Sequence, residues 1–325
     1  MKVYLVVLNW NGKDFVEECL DSLEKQSYRH EVVVVDNGST DGSLEAIEKK
    51  YPRIHLIKKS ENHGFAGGVN IGIEYAIENG ADAVALFNND AVADKKWLEN
   101  LVGALKNNTK VGITTSKLMQ MDKVHIDSTG DFYTIWGMPF PRGRNKKAEG
   151  NFEKREFIFG ASGGASLYRV KMLEEVGLFD EDFFAYLEDV DISFRAQLAG
   201  WKVMFEPTAV AYHHISATSS KLGTFSRYHT VKNFYLLYLK NMPGLLYWKY
   251  LPLFLLHGLR LGISSFVRMG GLAYLKGVGK FIVLVPKTLA KRRKIQSNRK
   301  VSVSYIESIL THSRPGRIPP IQPDN

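Results

Sequence analysis

One dense run of acid in the chain is Glu188-Asp189-Val190-Asp191, three carboxylates in four residues. Such a cluster repels itself unless a cation, a base or a substrate proton offsets it. At the start of a helix, one of these groups can be the general base that deprotonates a hydroxyl nucleophile. Arg195 lies four residues beyond Asp191 on the same helix face. That pairing assigns Asp191 to structure and leaves Glu188 and Asp189 for chemistry. A second cluster, Asn88-Asn89-Asp90, closes the apolar run Ala83–Phe87. Here one side chain can reach a ribose while Asp90 gives an oxygen to a divalent cation bridging two phosphates. Asp94 is the expected cap of the next helix, so Asp90 is left over for a ligand.

Further polar groups follow other apolar runs. Asp36 begins Asp36-Asn37-Gly38-Ser39-Thr40-Asp41, where a carboxylate can accept a ligand N–H such as N3–H of a pyrimidine; Asp41 reads instead as a helix cap. Asn9-Trp10-Asn11-Gly12 follows the first run, and Trp10 can flank a flat base or simply pack. Glu61-Asn62-His63-Gly64-Phe65-Ala66-Gly67-Gly68-Val69-Asn70 can bring backbone N–H groups to a phosphate, although tight turns also want glycine. A Gly-x-Gly-x-x-Gly dinucleotide fingerprint is absent after the first run. In Tyr212-His213-His214-Ile215-Ser216, one histidine is a candidate metal ligand, which favours manganese over an all-oxygen site, and the other is structural.

These clusters need a scaffold, and the hydrophobic periodicity supplies one. Apolar runs Val3–Leu8, Val32–Val35, Ile54–Ile57 and Ala83–Phe87 alternate with helical patterns over Phe15–Lys25, Leu44–Lys50 and Val69–Glu78. A βαβα series with short continuous apolar strands implies a parallel sheet with helices on both faces. Ligands gather at the carboxyl ends of such strands, which is where the polar clusters fall. A helix over Lys95–Lys106 precedes an irregular stretch, Ser116–Glu156, of loops and short strands. A strand at Gly163–Tyr168, helices at Lys171–Val176 and Leu187–Leu198, and two short strands, Lys202–Phe205 and Ala209–His213, complete the body. Loop Phe132–Glu156, with Arg142 and Arg144, is either an acceptor-shaping segment or a solvated loop.

Composition excludes wholesale disorder: of 325 residues, 45% are hydrophobic and 24% charged. A single cysteine, Cys19, excludes an internal disulfide framework and suits a reducing compartment. No cleavable signal follows the run Val3–Leu8, which favours a cytoplasmic location. The net charge of +9 hides a division, because residues from Arg227 onward hold 17 Lys and Arg against two acids, Glu307 and Asp324. The remainder is acidic. A basic tail interleaved with Trp248, Leu253, Phe254, Phe266 and Phe281 suits helices lying in an anionic headgroup layer rather than nucleic acid. Lys249, Arg260, Arg268 and Pro252 interrupt its longest apolar stretch, so no spanning helix is expected. The last residues, from Arg314, hold four prolines and are expected to be flexible.

Taken in order, these segments resemble the inverting family 2 glycosyltransferases of the GT-A fold, particularly the rhamnosyltransferase-like members. The resemblance runs from Val3 to about Ser220. It is carried by Val7-Leu8-Asn9-Trp10-Asn11-Gly12, Asp36-Asn37-Gly38-Ser39, Asn62 to Asn70, Asn88-Asn89-Asp90, Gly160-Ala161-Ser162-Gly163-Gly164-Ala165, Val176-Gly177-Leu178-Phe179-Asp180, Glu188-Asp189-Val190-Asp191, and His213 with Ser216. It implies an α/β domain with a mostly parallel twisted sheet over 1–225; composition adds a basic helical, membrane-associating appendage over 226–300 and a flexible Pro-rich tail over 301–325. It also implies that Trp10, Asp36, Asn70 and Asn88 bind the nucleotide-sugar and that Asp90 and His213 hold Mn2+ or Mg2+. Asp189 is then the base, with Glu188 second in line. Asn88 stands where the family's Asp-x-Asp motif has its first acid.

The implied reaction moves one sugar, with inversion, from a UDP- or dTDP-sugar to a glycan or polyprenyl-linked acceptor at the inner membrane face, in cell-surface polysaccharide assembly. Rhamnose is the implied sugar. Two rivals are a processive polysaccharide synthase and a non-catalytic scaffold that binds a lipid-linked glycan. The synthase motif Gln-x-x-Arg-Trp is Gln197-Leu198-Ala199-Gly200-Trp201 here and lacks its arginine.

Overall fold

Strands β1 (Val3–Asn9), β2 (Glu31–Asn37), β3 (His55–Lys59) and β4 (Ala83–Asn88) run parallel in the order β4-β1-β2-β3. Helices α1 (Val16–Glu24), α2 (Ser43–Lys50) and α3 (Gly64–Glu78) make the crossovers. Alternate residues of β1 go to opposite faces. Val3, Leu5 and Val7 join α1 in one core, while Tyr4 and Val6 join α3 in another. A strand covered on both sides must be apolar throughout, so β1 reads as a continuous run. The computed structural model describes residues 1–214, 223–267 and 270–313. Ser216, Arg268 and the residues from Arg314 lie outside the described residues, whereas 301–313, expected as part of the flexible tail, is folded, with Ile306 and Leu310 buried.

The second half of the sheet is mixed. It comprises β5 (Ala91–Ala93), β6 (Val111–Gln120), β7 (Ile126–Ser128), β10 (Glu156–Ile158) and β11 (Ala165–Arg169), with helix α4 (Trp97–Lys106) between β5 and β6; the hairpin β8 (Asp131–Tyr133) and β9 (Pro139–Pro141) is a separate two-stranded sheet. Helices α5 (Val170–Val176) and α6 (Glu188–Leu198) precede the last strand, β12 (Lys202–His213). Strand β11 runs against both β4 and β6, while β6 and β12 are parallel. The two short strands expected at the end of the body are one. A register break at Glu206–Val210 bulges β12 around Pro207, and Glu206 accepts from Thr208 there. Asp94, expected as a side-chain cap, offers α4 only its backbone carbonyl, to Trp97 N–H.

The glycines of α3 are a packing device. A Cβ at Gly68 would stand 2.3 Å from Leu8 Cδ1, so only glycine lets the helix lie this close to β1.

Beyond the sheet come α7 (Gly223–Asn241), α8 (Gly244–Val267), α9 (Gly271–Ser297) and α10 (Val303–Ser308). The division expected at 225 runs through α7. Its Phe234, Leu237 and Tyr238 share one core with Tyr133, Phe159, Phe183 and Phe194 of the body, and with Phe254 of α8 and Ile306 of α10. Buried Lys240 of α7 pairs with Asp180 and, at 2.9 Å, with Asp191. Contrary to the sequence expectation, α8 is long and apolar enough to cross a membrane by length and composition. Counting uninterrupted apolar residues hid this, because isolated basic residues break the run without making the helix polar. One face of α8, with Leu246, Tyr250, Phe254, His257 and Ser265, is nevertheless buried in the protein.

Candidate active site

The register of the mixed half brings two distant residues together. Strand β5 pairs antiparallel with β12, with Ala91 opposite His213, and His214 N–H donates to the Asp90 carbonyl at 3.0 Å. His213 Nε2 then lies 3.0 Å from Asp90 Oδ1 and 3.4 Å from Asn88 Nδ2. Its other nitrogen, Nδ1, lies 2.8 Å from Asp127 Oδ2. Asp127 is buried in β7, and Arg144 holds its other oxygen at 2.7 Å. Burial alone would lower the His213 pKa, but the hydrogen bonds to Asp127 and Asp90 outweigh it and push it up to about 9. His214 turns away, toward Glu18 at 3.4 Å and the ring of Phe15.

Among the described residues, no three acid, histidine or cysteine side chains form a metal-holding group. Two donors do converge. Ligands at right angles on a cation bound at about 2.1 Å stand about 3 Å apart, which matches the 3.0 Å between Asp90 and His213. Asp127 behind the imidazole fixes its orientation, as an outer-shell carboxylate does for a ligating histidine. The donor set therefore fits a divalent cation completed by phosphate oxygens and water.

These residues line a cavity of ≈ 320 Å³ with Leu8, Trp10, Asn37, Asn62, Phe65, Phe184, Tyr186 and Phe225. Trp10, Asn88, Asp90 and His213 thus share one cavity. Asp36 sits behind it, buried, with Oδ1 accepting from Asn9 Nδ2 at 2.9 Å and Oδ2 from Ser39 N–H at 3.1 Å. Asp41 is used as expected, accepting Ser43 N–H at 3.0 Å where α2 begins. Asn70 is not brought to the cluster. Its amide clamps the Phe179 backbone, donating at 2.8 Å and accepting at 3.0 Å, which ties α3 to the segment before α6.

Glu188 and Asp189 open α6 beside this cavity. Asp189 Oδ2 accepts Gly163 N–H at 2.9 Å. The neighbouring Gly164 approaches Asn88 so closely that a Cβ there would stand 3.0 Å from Asn88 Nδ2. Burial raises the Asp189 pKa, while N–H groups of Gly163 and Val190 work against the rise. Burial and then the Asp189 charge push Glu188 up to about 8, and its Oε2 is buried with no hydrogen-bond partner. Asp191 is structural, as its spacing implied: Arg195 Nε lies 2.8 Å from Oδ2, and Asn241 donates to Oδ1 at 2.8 Å.

The sequence reading missed Asp127 and Asp131. Asp131, in β8, is buried, and its pKa is raised by desolvation and then by the Asp189 charge. Both were read as part of irregular structure. Neither Ile126-Asp127-Ser128 nor Gly130-Asp131-Phe132 carries a local signal of a site. Arg142 is a structural ion-pair partner of Glu156, whereas Arg144 belongs to the Asp127–His213–Asp90 chain.

A family model described as glycosyl transferase family 2 matches residues 4–177. An N-acetylglucosaminyl-diphospho-decaprenol L-rhamnosyltransferase of Mycobacterium tuberculosis is 29% identical over 65% of this chain and 75% of its own. A dTDP-rhamnosyl transferase, RfbF, of Shigella flexneri is 27% identical over 75% of this chain and 82% of its own. Among solved structures, a mannosyltransferase from Pyrobaculum calidifontis in complex with GDP-Man and Mn2+ superposes with a TM-score of 0.54 at 18% identity. It covers 95% of this chain and 85% of its own.

Proposed function

The chain belongs to glycosyl transferase family 2, and from that premise we propose that it moves one rhamnosyl residue from dTDP-rhamnose to a polyprenyl-diphosphate-linked glycan, with inversion. It is a glycosyltransferase built on the GT-A fold. The observation that carries the finer reading is a two-donor cation site, Asp90 and His213, on one cavity, with Asp189 held next to that cavity through Gly163, whose neighbour Gly164 packs on the cavity residue Asn88. The donor and acceptor classes are supported by the two rhamnosyltransferase relatives, one acting on a diphospho-decaprenol carrier by its name.

In this reading the nucleotide lies across the strand ends, with Asp36 accepting N3–H of thymine through a free lone pair and Trp10 against the base. Asn88 is oriented toward the ribose. A divalent cation held by Asp90 and His213 would neutralise the leaving diphosphate, and the imidazole in the donor set favours manganese. Asp127 keeps His213 oriented. Asp189 accepts the proton of the acceptor hydroxyl as that oxygen bonds to the anomeric carbon and the carbon–diphosphate bond breaks on the opposite face. Glu188, pushed up to about 8, is uncharged at neutral pH and so spares Asp189 a second negative neighbour. Asn70 is assigned to structure. Gln197 and Trp201 do not support a processive synthase. The Gln197 amide is engaged by the Ile158 and Phe159 carbonyls, and Trp201 donates to Glu175.

Attachment to an anionic membrane is part of the proposal. With one face of α8 buried, its other face carries Leu245, Trp248, Leu255, Leu259, Ile263 and Phe266, all exposed. Helix α9 adds Leu272, Leu275, Ile282 and Val283, with Lys276 and Lys280 between them. A half-buried helix with an apolar outer face beside cations suits an interfacial position. Buried, unpaired Cys19 suits the reducing side of that membrane.

The test is product formation from dTDP-rhamnose and polyprenyl-diphosphate N-acetylglucosamine with Mn2+, followed by mass spectrometry. A single deoxyhexose addition is expected, abolished in Asp36→Ala and Asp90→Ala. Transfer from a UDP-sugar but not from dTDP-rhamnose would replace the donor. Absence of transfer from any sugar nucleotide by folded protein would overturn the reading.

A further inference from the structure

The segment delivering Glu188 and Asp189 is in an unusual conformation. Phe184, Tyr186 and Leu187 have φ of 63°, 71° and 68°, in a left-handed region that large side chains rarely enter. Such a backbone persists only where its surroundings over-determine it. Here it turns three carbonyls toward one point, and a side chain of α7 stands at that point. Asn233 Nδ2, fully buried, lies 2.9 Å from the Phe183 carbonyl, 2.8 Å from Ala185 and 2.6 Å from Tyr186. Its neighbour Lys232, also buried, directs Nζ to the carbonyls of Asp182 and Phe183. From the other side, Ala66 N–H holds the Phe184 carbonyl at 3.0 Å, and the Phe184 ring stacks on His229 of α7. A Cβ at Gly64 would stand 2.5 Å from that same carbonyl oxygen, so the loop is pressed onto the start of α3 as well.

We propose that Asn233 and Lys232 are positioning residues, which hold the segment 184–187 with Phe184, Tyr186 and Leu187 left-handed and so set Glu188 and Asp189 beside the cavity. This rests on the reading of Asp189 as the base that takes the acceptor proton. The clamp explains why α7 shares the core of the body rather than standing apart as an appendage. Burial disfavours the charge of Lys232, and the Asp182 and Phe183 carbonyls, with the Asp182 carboxylate nearby, work against that penalty. The amide of Asn233 supplies a donor to the Ala185 and Tyr186 carbonyls and joins Ala185 N–H on the Phe183 carbonyl.

The test uses the full chain with Asn233→Ala, Lys232→Met and Lys232→Arg. Hydrogen exchange across residues 184–191, calorimetric binding of dTDP with Mn2+, and kcat and KM for dTDP-rhamnose are measured in each. Asn233→Ala is expected to speed exchange in 184–191 by tenfold or more over the rest of the body and to lower kcat at least tenfold. Its dTDP affinity falls by much less than kcat, since Trp10, Asn88, Asp90 and His213 lie at strand ends outside the loop, although Phe184 and Tyr186 line the same cavity. Lys232→Met shows the same signature in milder form, and Lys232→Arg restores it toward the parent. Unchanged exchange in 184–191, or a loss of dTDP affinity that tracks the loss of kcat, would overturn the proposal. Failure of the base reading has a different signature: Asp189→Asn would keep turnover while Asn233→Ala still loosened the loop.

Discussion

Two acidic regions meet at the Gly163-Gly164 step and manage their charge in opposite ways. On one side, Asp90 and Asp127 flank His213, whose imidazolium their negative charge stabilises, and the partners are aligned by strand register. On the other, Glu188, Asp189 and Asp131 have, among the described residues, no cation within hydrogen-bond distance, and burial drives their pKa values up. The first arrangement holds a positive charge between two carboxylates, a place a metal ion can take over from a proton. The second favours Glu188 in its protonated form and leaves Asp189 as the group that takes up a proton. A site that must neutralise a leaving diphosphate and also accept a proton from a hydroxyl needs both, kept apart by a backbone step narrow enough to bring them to one substrate.

The sharpest way to break this contrast is to remove the proton acceptor alone. Asp189→Asn keeps the shape and the Gly163 contact, and turnover is expected to fall roughly 10²–10⁴-fold, while calorimetry finds dTDP binding with Mn2+ unchanged. Equal loss of both would mean that the two regions are not separate. Next in size is Lys240→Met. It leaves Asp180 and Asp191 buried with one cation fewer, and breaking such a pair costs about 3–5 kcal/mol, read as a lowered midpoint in urea. The effect should fall on stability, since this third acidic group is paired for structure. Asp127→Asn is smaller. It leaves Asp90 and His213 in place but frees the imidazole to rotate, and Mn2+ affinity is expected to drop about 10–100-fold with little change in metal-free stability at pH 9.5.

The two regions also differ in how far the sequence discloses them. Strands β1 to β4 are legible because both faces are covered, so apolar character is continuous and the polar residue that ends each strand stands out. Asp36, Asn88 and Asp90 were visible for that reason. His213 was visible as a strand-end histidine, but Asp127 was not, because its meaning depends on β7 pairing with β6 and bringing it under His213. Nothing local in Ile126-Asp127-Ser128 announces a partner 86 positions away. Asn70 was overread. It follows a glycine-rich stretch that looks like a phosphate cradle, whereas the glycines admit Leu8 and the amide holds Phe179. Lys232 and Asn233 were hidden in a basic tail whose cations were all assigned to a surface. Amphipathic spacing cannot tell a lysine on lipid from one buried on carbonyls.

The smallest effect separates the regions by pH. Metal-free protein loses stability with rising pH on both sides, for different reasons. His213, pushed up to about 9 from an ordinary 6.5, contributes stability that is complete below 6.5 and gone once pH passes 9. Glu188, pushed up to about 8 from 4.5, is favoured by the fold only while protonated, so the fold loses ground from about pH 4.5 until pH 8. Glu188→Gln should remove the second loss and be more stable than the parent at pH 8.5 by roughly 1–3 kcal/mol, with little difference at pH 4.5. Mn2+ with dTDP should offset the first loss, because a metal ion replaces the imidazolium proton, and should leave the Glu188→Gln difference intact. Thermal unfolding of parent and variant across pH 4.5–9.5, with and without Mn2+ and dTDP, measures both. If Mn2+ with dTDP also abolished the gain from Glu188→Gln, the carboxylate pair and the cation site would be one electrostatic unit, and the division of labour between them would fail.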